Sequence, residues 1–208
     1  MSQDVNLSLQ LNFTKNLWAP YLSNLNLIFF VLCPFIMTRM VSDERVGGGL
    51  RLMLSSPVSS WSFLVSKYLV GLSFVSFFLL ISFLGPIVTG FMVDGFYWWE
   101  FIGAGLGLFL VVSVYVGVSL FASLVTESVL LSGVISFAIC LSLWLVKFLV
   151  LAVNTQYVQN LVHQLWIGGH FQNLIMAKLS LNSFLFFVSL ISLFLFLSYQ
   201  VFEGKERG

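Results

Sequence analysis

The chain has 208 residues and a formal net charge of +1; 59% of its residues are hydrophobic and 8% charged, against about 25% charged in an ordinary soluble domain. A water-soluble fold of this size has too little polar surface to cover so much apolar material, so lipid is the expected solvent and an all-α polytopic membrane helix bundle the expected fold class. The near-neutral balance gives no basic surface for nucleic acid.

Residues 1–23 are polar, with Leu7, Leu9, Leu11 and Phe13 alternating, and read as an external segment with extended character. Trp18 and Tyr21 lead into the first span as interfacial aromatics. The remainder, 24–208, reads as a single transmembrane domain. Its first span is expected over 25–40, holding Pro34 and ending near Arg39. A second covers 61–92, long enough to tilt or break, with Gly85-Pro86 as the candidate kink. A turn with the aromatic belt Phe96, Tyr97, Trp98 and Trp99 precedes the third span, 101–124. The link around Glu127 is so short that the fourth span, 129–153, must lie antiparallel beside the third. Residues 154–181 are less apolar. Tyr157, Leu161, Leu165 and Trp166 share a face there, which predicts an interfacial helix followed by a bend at Gly168-Gly169. A fifth span, 182–202, leads to the charged tail 203–208.

Between the first two spans, residues 42–59 gather charges, glycines and Pro57. Val46, Leu50, Met53 and Leu54 fall on one side of a helix that Pro57 would stop. A short amphipathic helix at the membrane surface and a solvated loop fit this periodicity equally.

The run Glu44-Arg45-x-x-Gly48-x-Leu50-x-x-x-Leu54-x-x-Pro57-Val58-Ser59, followed by Lys67, resembles the segment after the second span of ABC-2 type transporter permeases. The similarity is strongest to the gliding-motility-associated branch. His170-Phe171-Gln172-Asn173 before the last span resembles a second motif of that branch, with Gln172 in place of the usual acidic residue. Gly49 stands where threonine is usual, Gly47 is an added glycine, and Arg51 replaces a frequent acidic residue. Three successive glycines, each costing about 1 kcal/mol relative to alanine, move the expected helix start toward Leu50.

The resemblance implies a coupling helix that touches a separate ATPase chain, with Asp43, Glu44, Arg45, Gly48, Leu50, Arg51, Leu54 and Pro57 as the contact set. It also implies a second permease chain, as homo- or heterodimer. ATP and magnesium would bind the partner ATPase, with no cofactor in this chain. Relatives usually have six spans, so this chain resembles a permease without the first. A non-transport interaction subunit of a larger membrane assembly is the rival reading.

Orientation follows the lysine and arginine bias of short loops. Arg39, Arg45, Arg51, Lys67, Lys205 and Arg207 gather on one side, and Lys15, Lys147 and Lys178 on the other. The coupling segment and the C-terminus are therefore expected in the cytoplasm, with the chain in the inner (cytoplasmic) membrane.

Catalytic chemistry has little to work with. No carboxylate falls at mid-span, and there is no phosphate-binding Gly-x4-Gly-Lys-Ser/Thr loop and no nucleophile elbow. Glu127 reads as a cap on the fourth span or a cytoplasmic contact. His163 and His170 would share a face only in an uninterrupted helix, and interfacial polar residues fit them better than metal ligands. Lys147 reads as snorkelling to the headgroups, with an anionic substrate as the alternative. Cys33 and Cys140 read as small buried hydrophobes. Gly103-x-x-x-Gly107 forms a small-residue strip for packing within the chain or across a dimer.

Overall fold

The computed structural model describes residues 19–46, 59–92, 98–126, 128–152, 166–175 and 180–206. Among these all but a few residues beside the helix ends are helical: α1 Ala19–Val46, α2 Ser60–Met92, α3 Trp98–Val125, α4 Val129–Ala152, α5 Ile167–Ile175 and α6 Leu181–Glu206. Five of them, all but α5, are long and apolar enough to cross a membrane. A helix satisfies its own backbone, which is the condition for crossing hydrocarbon.

Helices α2, α3, α4 and α6 lie over the apolar runs 61–92, 101–124, 129–153 and 182–202. The first span departs from the sequence reading at both ends. It starts at Ala19, because Pro20 suits a helix's first turn, where its missing N–H is not needed. It also continues past Met40 through Asp43, Glu44 and Arg45 to Val46. Those charged residues thus prolong the first membrane helix on its backbone. The second correction concerns Gly168 and Gly169. No bend lies there; both sit in the first turn of α5, whose Gly169 and His170 N–H groups donate to the Trp166 carbonyl. A Cβ on either glycine would stand 2.7 Å from an atom of the Trp166 indole. The glycines make room for that ring.

Helix α3 is the axis of the bundle. It packs against each of the other five, which follow one another around it in the order α1, α2, α6, α5, α4 and back to α1. Accordingly 83% of its membrane-crossing window is buried, against 22% for α2, α4 and α6. Small residues permit this enclosure by letting neighbouring helices approach closely. A Cβ on Gly107 would lie 2.6 Å from the Leu174 Cβ of α5, and one on Gly71 of α2 would collide with the Met37 side chain of α1. The glycine strip on α3 therefore serves packing within the chain at Gly107.

Polar groups inside the bundle are tied locally or across helices. Ser113 and Ser119 return their hydroxyls to carbonyls four residues back, and Ser119 also meets Ser136 of α4 at 2.9 Å. Tyr68 of α2 donates to the Ser113 carbonyl of α3. At the opposite end from α5, α2 and α6 are clasped by the ring pairs Trp61–Tyr199 and Phe63–Phe202.

Candidate functional site

Most of the expected ATPase-contact set falls where the structure does not speak. Gly48, Leu50, Arg51, Leu54 and Pro57, and likewise Glu127 and His163, lie outside the described residues. Asp43, Glu44 and Arg45 are described by backbone alone, in the last turns of α1. Lys67, the distal element of the same motif, is on α2 with its ammonium 5.7 Å from the centre of the Phe63 ring, a distance at which the ring face attracts a cation.

The site that the structure does assemble was not legible in the sequence. At the α5 end of the bundle, α1, α4 and α5 enclose a half-open groove of about 440 Å³. Leu27, Phe30, Leu141, Trp144 and Phe171 form its apolar walls, and Ser23, Asn26 and Gln172 supply the polar atoms. None of the lining residues carries a formal charge. Its floor is a hydrogen-bond relay through three helices. The Trp144 indole N–H donates to the Tyr115 hydroxyl at 2.8 Å, and Tyr115 donates to Asn26 Oδ1 at 3.1 Å. Phe30 packs its edge against the Tyr115 ring, with centroids 5.7 Å apart.

The polarity of this relay is set by chemistry. An indole nitrogen can only donate, so the Tyr115 oxygen accepts and its own proton goes on to Asn26. That fixes the amide with its oxygen inward. Among the described residues, nothing accepts from the Asn26 NH2. Asn26 is 5% exposed and lines the groove. An isolated asparagine near the start of a span carries no such signal in sequence; only the juxtaposition with Tyr115 and Trp144, far away along the chain, gives it one.

A second polar cluster borders α5. His170 Nδ1 lies 2.9 Å from Ser183 Oγ, which lies 2.7 Å from Ser180 Oγ, and the imidazole stacks on Phe186 at 4.3 Å. These contacts dock α5 onto the start of α6. Among the described residues no group of three His, Cys, Asp or Glu side chains is placed to hold a metal. Cys33 and Cys140 are free thiols buried in the core. Ser180 also rims a smaller apolar groove of about 380 Å³ between α3, α5 and α6.

A family model described as "ABC-2 family transporter protein" matches residues 5–207. Neither the curated proteins nor the solved structures yield a match.

Proposed function

The chain belongs to the ABC-2 family of transporter proteins, and on that premise we propose that it is the permease subunit of an ATP-driven exporter of the gliding-motility-associated type. In this reading two permease chains form the pathway in the inner membrane, and a separate ATPase chain binds on the cytoplasmic side, where the C-terminus also lies. ATP and magnesium are bound by that partner. The match across nearly the whole chain carries the reading, and the geometry gives it a route for force. The Asp43–Arg45 end of α1 and Asn26 in the groove belong to one continuous helix. At 1.5 Å per residue they are about 27 Å apart along it. A push delivered to residues 43–54 by ATPase closure therefore reaches the groove through α1. Glu44 and Arg45 make the polar contacts with the ATPase, Leu50, Met53 and Leu54 anchor the segment, and Pro57 sets its angle into α2.

The test is purification of the tagged chain from its native membrane in mild detergent, beside the double variant Glu44→Ala, Arg45→Ala. A stoichiometric ATPase with the native chain, lost from the variant while membrane insertion is intact, is the expected result. A different integral membrane protein and no ATPase would instead establish an interaction subunit.

A further inference from the structure

The groove between α1, α4 and α5 has an unusual balance. Its walls are aromatic and aliphatic, its lining has no formal charge, and its one deeply buried polar side chain presents hydrogen-bond donors. Asn26 Nδ2 is not one of the enclosed side-chain atoms without a partner, so its N–H groups open onto the groove, whose walls are mostly apolar and offer few acceptors. The relay turns the Asn26 oxygen inward to Tyr115 and leaves the NH2 to the groove. A ligand that brings an oxygen acceptor satisfies the amide without rearranging it. A carboxylate or phosphate would do so only by leaving its charge among apolar walls, which costs far more than one hydrogen bond returns. The volume of about 440 Å³ lies in the lower part of the range of roughly 300–1,000 Å³ for small-molecule sites. It suits one chain and a compact head better than a two-chain lipid.

We propose that this groove binds an uncharged, single-chain amphiphile whose ester, amide or hydroxyl oxygen accepts a hydrogen bond from the Asn26 NH2. The chain lies against Leu27, Phe30, Leu141 and Phe171. Asn26 is the residue that reads the head, and Tyr115 and Trp144 are positioning residues that act through it. The proposal rests on the permease reading in one respect, that the groove faces the transported molecule.

The test uses the full chain in phosphatidylcholine nanodiscs with two photoreactive probes of equal chain length, a diazirine-bearing monoacylglycerol and the corresponding fatty acid. Cross-linked residues are mapped by mass spectrometry. The monoacylglycerol is expected to label α1 and α4 around Leu27, Phe30 and Leu141, saturably and in preference to the fatty acid. Asn26→Ala should lower that labelling about five-fold, the scale of one neutral hydrogen bond. Tyr115→Phe, which frees the amide to turn, should lower it less while the groove stays intact. Labelling at Leu80, an exposed residue of α2, should be the same in all variants and reports folding. Groove labelling indifferent to Asn26→Ala would overturn the proposal. So would preferential labelling by the fatty acid, the result expected if the groove serves an anion. Labelling spread evenly over lipid-facing helices would do the same. The co-purification above is read independently, so loss of the groove ligand with the ATPase still bound refutes this proposal alone, and the converse refutes the permease reading alone.

Discussion

Tyr115 shows how much one side chain decides in this molecule. It is fully buried, so its hydroxyl must be satisfied by protein, and it is satisfied by an acceptor on α1 and a donor on α4 at once. Tyr115→Phe removes both bonds and is expected to cost about 1 kcal/mol, the scale of hydrogen bonds within membrane proteins. Thermal unfolding in detergent of Tyr115→Phe, Trp144→Phe and the double variant should show less than additive losses, because both act on one relay. Additive losses would mean that the relay does not couple the helices. Glycines make a second residue-scale prediction. Gly107→Ala drives its new methyl into the Leu174 Cβ, an atom fixed to the backbone, whereas a Cβ on Gly117 meets ordinary contacts at 3.7 Å and beyond. Gly107→Ala should therefore destabilise by about 1–3 kcal/mol through overpacking, and Gly117→Ala by much less, in the same unfolding assay.

At the scale of an element, α2 passes through Pro86 without ending. Proline lacks an N–H, so the carbonyl four residues earlier, that of Ser82, loses its helical partner. The Tyr21 hydroxyl of α1 supplies the missing donor at 2.6 Å. An interfacial tyrosine and a candidate kink, read separately in the sequence, turn out to be two halves of one repair of the kind that lets proline persist in membrane helices. A double-mutant cycle checks it. Tyr21→Phe should cost about 1 kcal/mol in the native background and markedly less beside Pro86→Ala, which restores the N–H. Equal costs in the two backgrounds would show that the hydroxyl serves something else. The turn of α5 at Gly168 and Gly169 taught the opposite lesson. Paired glycines usually punctuate a chain, but here they accommodate the Trp166 ring, a contact that no local rule of turn chemistry contains.

For the whole molecule, the enclosure of α3 by five neighbours predicts where the bundle resists opening. Its amides should exchange slowest, since they are freed only when the surrounding helices part. Hydrogen exchange read by mass spectrometry in detergent should leave residues 111–120 protected longest, with α2 and α6 exchanging earlier. Faster exchange in α3 than in α2 would overturn the arrangement. The same enclosure leaves α2, α4 and α6 with broad apolar faces, among them Leu80, Phe91 and Leu130, which in a membrane meet lipid or another chain.

That the chain is helical and carries five long apolar runs was determined by the sequence alone, because hydrophobicity is summed over a contiguous run; the limits of the first helix, Ala19–Val46, were not. The resemblance carried by Glu44, Arg45, Pro57 and His170 likewise needed no coordinates, since it depends only on order along the chain. Which span is central could not be read so. The third and fourth are equally apolar, yet one is 83% buried and the other 22%, because what separates them is which neighbours each meets. Tertiary structure alone also brought Asn26, Tyr115 and Trp144 together. Hydrogen bonds between distant helices depend on packing geometry, and that geometry is fixed only when all the helices have found their places around α3.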